Sequence, residues 1–403
     1  MRKLCVISAL VALGILMAAC GGSDAATPPT PDIDVTKLDS GNYPTTPVDL
    51  ESTRVPTSGA LREAIRIGAA TPLPLQYDSR FVFAKGASGG RHITPTDPPY
   101  FPGAGIESKD FDATIPGVVA GWDSSADRRD ELNAGRTVST ITLRFRSADQ
   151  AKHAATELSN RTPGSAYPIP NYSDALTKLE PEPAPMPVQN LRVWLPRGDM
   201  LFFIEVADWL GLPYDPAADA IVAQKYFDKQ IEMLRAYSPT PLSDIDKLPL
   251  DTEGLLSRTL PTEPAKRPKT ATSSSAVYPA QAVLHLEEHP VSASAAYTDA
   301  GIDYVAFDLT SVRRAKDEAA AARLHAWLNS ELSSDKAYVK ADSPPNLPTF
   351  TCFTVDSKAS SSFLSKPTCQ GTVGRYVIEA SANSLQDAQQ RIAAQYRLLN
   401  GFN

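Results

Sequence analysis

Two residue patterns in this sequence have the spacing of hydrolytic chemistry. His285-Leu286-Glu287-Glu288-His289 fits H-x-x-E-H, where histidines one helical turn apart bind zinc and the glutamate beside the second activates the metal-bound water. On that reading His285 and His289 are metal ligands, Glu288 is the base, and the chain is a zinc-dependent envelope hydrolase. Against it, Pro290 stops the helix at once, and beyond Glu318 no downstream third ligand stands out. A solvated helix end, whose histidines suit the C-terminal dipole, is the expected arrangement. Gly86-Ala87-Ser88-Gly89-Gly90 has the form G-x-S-x-G and follows the strand-like Phe81-Val82-Phe83. A nucleophile elbow passes from strand directly into helix, which the proline-rich run Arg91 to Pro99 cannot supply, so Ser88 reads as part of a glycine loop. No catalytic set is therefore assigned. The other histidines are scattered, no phosphate-binding glycine loop opens a helix, and nothing demands a cofactor. Trp122, Trp194 and Trp209 read as core or sheet-face residues.

The cysteines point to a compartment. Arg2 and Lys3 precede an apolar run, Leu4 to Met17, and then Ala18-Ala19-Cys20-Gly21-Gly22-Ser23, the layout of a signal peptide. The run is about 14 residues, short of the roughly 20 that a membrane-crossing helix needs. Cys20 directly after two alanines resembles a bacterial lipobox, in which the thiol is acylated and palmitate-class chains hold the mature N-terminus in the cell membrane. Cys5 leaves with the signal and Cys20 carries lipid, so Cys352 and Cys369 remain as a pair in an oxidising space. A disulfide between them closes a loop of about 17 residues and contributes roughly 3 kcal/mol in the chain-entropy model. Loss of Arg2 and Lys3 takes the formal charge from -7 to -9. A mildly acidic chain without a basic run argues against nucleic acid as a partner.

These residues must be positioned by a fold, and the chain divides readily. Residues 1–19 are the signal and 20–35 a lipidated Pro-, Gly- and Thr-rich tether. Residues 36–245 form an N-terminal α+β domain, 246–276 a Pro-, Lys- and Ser-rich linker, and 277–403 a C-terminal α+β domain with the disulfide. The two domains repeat one pattern. Ile141, Leu143 and Phe145 alternate as a strand face, Ser147 with Gln150 forms a capping box, and Ala151, Ala154, Ala155 and Leu158 fall on one helical stripe. Val305, Phe307 and Leu309 alternate likewise before a helix with Ala321, Leu324, Trp327 and Leu328 inside. Leu191, Val193 and Leu195 turn through Pro196-Arg197-Gly198-Asp199 into Phe202, Ile204 and Val206, and a helix with Ala223, Phe227, Ile231 and Leu234 follows. The second half offers Phe353 and Val355, a Ser-rich loop, Tyr376 and Ile378, then a helix with Ala388, Ile392, Tyr396 and Leu399. Each half opens with a helix ended by proline, Ala60 to Pro72 and Ala280 to Pro290. The pattern predicts a duplicated β-α-β-β-α unit in the ferredoxin-like style, each an antiparallel sheet with helices on one face and the disulfide stapling the second hairpin loop.

Leu38-Asp39-Ser40-Gly41-Asn42-Tyr43-Pro44-Thr45, together with Val118-Val119-Ala120-Gly121-Trp122 and Asp299-Ala300-Gly301-Ile302-Asp303, resembles an uncharacterised family of actinobacterial, mycobacterial-type cell-envelope lipoproteins. That resemblance carries no activity and transfers no catalytic residue. Physically the first motif is a turn, since Gly41 and Asn42 tolerate positive φ and Pro44 fixes the exit. The expectation is an extracytoplasmic, lipid-anchored, non-enzymatic module that binds an envelope protein or a small ligand between its two domains.

Overall fold

The computed structural model describes residues 33–84, 91–131, 134–181, 187–209, 211–271, 275–356, 358 and 365–402. The signal segment, Cys20, the tether as far as residue 32 and the Ser88 loop lie outside the described residues. Helix α1 (Ser58–Ala69) and the single turn α2 (Pro74–Tyr77) come first, followed by the short strands β1 (Phe83–Ala84) and β2 (His92–Ile93) and the turn α3 (Phe111–Thr114). Then come β3 (Val118–Asp127), β4 (Arg136–Phe145), α4 (Ala148–Arg161), β5 (Leu176–Pro181), β6 (Gln189–Arg197), β7 (Met200–Asp208) and α5 (Pro216–Leu234). The second half runs β8 (Ala276–Pro279), α6 (Ala280–Val283), α7 (Pro290–Ala300), β9 (Tyr304–Phe307), β10 (Thr310–Arg314) and α8 (Glu318–Ser334). It ends with β11 (Tyr338–Ala341), β12 (Thr351–Val355), β13 (Thr368–Val373), β14 (Tyr376–Ser381) and α9 (Leu385–Leu399).

Both sheets are antiparallel and seven-stranded, and they share one path. In the first, β3-β4-β7-β6-β5 lie side by side; in the second, β9-β10-β14-β13-β12 do, with α4 matched by α8 and α5 by α9. The α+β class and the duplication are thus present. The repeated unit is β-β-α-β-β-β-α, longer than the β-α-β-β-α order read from the sequence. The strand preceding α8 is β10, not the Val305–Leu309 alternation, which belongs to β9 and its turn. Thr310-Ser311-Val312-Arg313-Arg314 hides its strand because its charges are buried in pairs: Arg314 holds Asp303 at 2.7 Å and Glu253 at 2.6 Å. The disulfide joins Cys352 to Cys369, register partners on β12 and β13, and closes the Ser-rich connection between those strands. The hairpin proper is β13–β14, which turns between Val373 and Tyr376 with Gly374 at φ +53°.

Helix starts follow local chemistry. Ser147, Asp215, Asp317 and Ser384 each accept a hydrogen bond from the backbone N–H three residues on, at the N-termini of α4, α5, α8 and α9. Helices cover both faces of each sheet, a fuller layering than the one-faced packing expected. Helix α4 packs on Leu143, Trp194 and Phe203, whereas α5 packs on Val193, Phe202 and Ile204. In the second sheet α8 lies with Val305 and Val377, and α9 with Val312 and Ile378. The cause is visible in Val193, Trp194 and Leu195 of β6 and in Leu201, Phe202, Phe203 and Ile204 of β7, apolar runs without alternation, as strands buried on both faces must be.

The halves are not separate bodies on a loose connector. One core cluster contains Trp122, Val193 and Phe227 of the first half with Tyr278, Leu284 and Val305 of the second. Within the stretch 246–276, expected as a linker, Leu255 and Leu260 are fully buried, and short 3-10 turns span Leu256–Arg258 and Pro264–Lys266. Leu38 and Leu50, grouped by sequence with the first half, sit in the core of the second. Among the described residues no helix is long and apolar enough to cross a membrane.

Candidate binding recess

The Leu38–Thr45 motif forms the turn expected of it. Asp39 Oδ1 accepts the Gly41 N–H at 3.0 Å, Gly41 takes φ +52°, and the Tyr43 N–H donates to Ser40 O at 3.1 Å. The turn is also a clasp on the last helix. Tyr43 Oη donates to Asp387 Oδ1 at 2.6 Å and accepts from Arg391 Nε at 3.0 Å, while Arg391 also grips Asp387 Oδ2 at 2.9 Å. Gln390 donates to Asp39 Oδ2 at 3.1 Å. A Cβ on Gly41 would lie 2.8 Å from Gln390 Oε1, so glycine serves both the left-handed turn and the close approach. Burial, and then the bond to Asp387, push the Tyr43 phenol above its ordinary pKa.

Between this clasp and the Pro261–Arg267 segment opens a recess of about 590 Å³, with Asp387 and Gln390 of α9 also lining it. Thr262 and Arg267 are shared with a second, smaller pocket of about 80 Å³ at the junction of the halves. Helix α1 contributes Leu61 and Arg62 to that inner pocket, the N-terminal arm Leu50 and Val55, and the β9–β10 turn Asp308. Asp308 Oδ1 accepts from Thr262 N at 2.7 Å and Thr262 Oγ1 at 2.5 Å, and Oδ2 from Ser275 Oγ at 2.9 Å. Burial raises its pKa against the pull of these donors. Arg62 donates to Val277 O at 2.8 Å and Thr252 Oγ1 at 3.0 Å, and Arg267 Nε donates to Thr262 O at 3.0 Å. Sequence reading missed Arg62, Thr262, Arg267 and Asp308, because no motif links them; only the Pro-rich run around Arg267 marked a neighbourhood.

The H-x-x-E-H residues are not brought together as a metal site. His285 lies in a 3-10 turn, Leu284–Leu286, the chain is extended at Glu287, and His289 is the exposed N-cap of α7. Pro290, expected to end a helix, opens the next one at its first position, where its missing N–H is no loss. Glu288 is exposed, and Glu318 is the first residue of α8. His285, expected at a solvated end, is buried. Its Nε2 lies 3.1 Å from Thr71 O, which can only accept, so Nε2 carries the proton and Nδ1 accepts from Ser124 Oγ at 2.8 Å. Burial, reinforced by Arg91, pushes its pKa to about 3. Trp122 meets the ring edge-on at 5.6 Å and Tyr278 at 6.4 Å, so this neutral imidazole is a bolt between the halves. Among the described residues no three metal-ligating side chains gather at one point. Trp194 is fully buried on its sheet face as expected.

Two family profiles match the sequence: the Domain of unknown function (DUF7373) N-terminal at residues 50–250, and the Domain of unknown function (DUF7373) C-terminal at residues 255–401. Among solved structures, the crystal structure of the extracellular domain of PknH from Mycobacterium tuberculosis is similar at 14% identity, covering 47% of this chain and 99% of that chain with a TM-score of 0.30. No curated protein matches.

Proposed function

The chain belongs to the DUF7373 family, whose two parts it carries in order, and from that premise we propose that it is a lipid-anchored, extracytoplasmic, non-enzymatic module that binds a small ligand where its halves meet. The observation that carries this reading is the pair of adjoining pockets built from the N-terminal arm, the Pro261–Arg267 segment and α9. Concave sites at junctions of structural units, mostly apolar with a few convergent polar groups, are the common form of a ligand site. Anchoring rests on the lipobox-like Ala18-Ala19-Cys20 and the actinobacterial envelope resemblance. The arm that would lead from such an anchor forms one wall of the recess.

Native mass spectrometry of the full chain, extracted gently from membranes, tests the proposal. The expected spectrum begins at an acylated Cys20 and shows a non-covalent adduct that denaturation removes. Replacement of Cys20 by alanine should move the protein out of the membrane fraction. A bare acylated mass under native conditions, with protein partners co-purifying instead, would overturn the small-ligand reading in favour of an interaction subunit.

A further inference from the structure

Two arginines, Arg62 and Arg267, line the inner pocket. Elsewhere, the buried Arg144, Arg192 and Arg314 and the partly buried Arg136 each hold two carboxylates, and the buried Arg313 faces Glu379 at 3.9 Å. Arg62 and Arg267 join no ion pair among the described residues; the acceptors they hold are neutral, namely Val277 O, Thr252 Oγ1 and Thr262 O. Asp251, the carboxylate that acts most strongly on Arg62, accepts from the backbone N–H groups of Thr252, Leu256 and Ser257. Asp308 is the one carboxylate lining the pocket, and three hydrogen bonds from Thr262 and Ser275 occupy it. Among the described residues the pocket lining thus holds two cations and one carboxylate.

Leu50, Val55 and Leu61 give the same pocket apolar surface. The volume of about 80 Å³ admits about five to eight water-sized groups. We infer that the inner pocket binds a small organic monoanion, a carboxylate on a short apolar body, with its head between Arg62 and Arg267 and its body on Leu50, Val55 and Leu61. A dianion such as phosphate fits less well, because the Asp308 carboxylate lines the same pocket and would repel a second negative charge. This inference rests on the reading of the recess as a ligand site, and it specifies the chemistry of that site.

Pentanoate and its neutral isostere pentanamide separate the charge from the shape. Titrated into the full chain in detergent and followed by ligand-observed NMR, pentanoate is expected to bind about tenfold more tightly than pentanamide, as a charge-assisted contact requires. R267Q should bring the two to equal affinity with the thermal midpoint unchanged, since Arg267 is only partly buried. D308N, which removes the opposing charge and leaves both guanidiniums, should tighten pentanoate severalfold. Equal binding of acid and amide to the native protein would overturn the inference, as would a preference untouched by both variants or tighter binding of inorganic phosphate. If acid and amide bind equally while the native mass spectrum still shows an adduct, the ligand-site reading stands and the anion inference falls. If neither probe binds and no adduct is present, both fall.

Discussion

With its Nε2 hydrogen on Thr71 O and its Nδ1 lone pair on the Ser124 hydroxyl, His285 has nowhere to put a second proton without breaking a bond and burying a charge. A histidine whose folded pKa is pushed to about 3 contributes stability above the ordinary value near 6.5, and that contribution drains away as pH falls toward 3. His285→Ala is therefore expected to lose about 3 kcal/mol in denaturant unfolding at pH 7.5, from two broken bonds and a cavity beside Trp122, and to lose less at pH 5. A deficit independent of pH would refute the neutral-bridge role. Asp219 behaves in the opposite sense. It is fully buried at the start of α5, and burial, with Asp208 on the same Arg136 guanidinium, pushes its pKa up to about 6 despite the pull of that arginine. Its folded form holds a proton that the unfolded chain releases near pH 4, so stability from this group is lost as pH rises through 6. The melting temperature of Asp219→Asn should accordingly improve relative to the native protein between pH 4.5 and pH 8; a constant offset would contradict the shift.

Among the elements, α1 illustrates why local propensity can mislead. Gly68 lies near the end of the helix, where alanine ordinarily gains about 1 kcal/mol. A Cβ there would sit 2.4 Å from the Trp122 ring, which packs across the helix and meets Tyr278 and His285 beyond it. Gly68→Ala is thus expected to destabilise by about 1–3 kcal/mol, with a red-shifted tryptophan emission as the ring is displaced. Elements carrying a plain periodic signal were legible in the sequence: β4, β6, β7, α4 with its Ser147 cap, α5 and α9. Those that were not had their signal masked by tertiary pairing. Strand β10 buries two arginines, β13 carries Thr, Gln and Gly around Cys369, and the Pro-rich connector is anchored by isolated leucines with no period at all. The pocket residues were invisible for the same reason: Arg62, Arg267 and Asp308 come from three distant segments, and only the topology brings them to one place.

At the scale of the whole molecule, the N-terminal arm belongs to the half it is furthest from in sequence. It buries Leu38 and Leu50 in the second core and clips Tyr43 to α9 before it reaches α1 in the first half. Tyr43→Ala, which removes the clip and leaves both cores their own residues, should raise amide hydrogen exchange in residues 36–48 and along α9 by an order of magnitude or more while β4, β6 and β7 keep their protection. Uniform acceleration across both sheets would show that the arm supports the whole fold equally. The two ends of the described chain also converge: Ile33 packs against the second core, and Phe402 stacks on Tyr376 of the same core. This gives the protein a mechanical polarity. A pull along the chain at residue 33 passes through Ile33, Leu38 and the bond from Asn346 to Lys37 O, and then through Asp39, Tyr43 and their partners on α9, before it reaches α1. That load path runs along one wall of the recess, so the grip on whatever lies there shares its hydrogen bonds with the resistance to the pull.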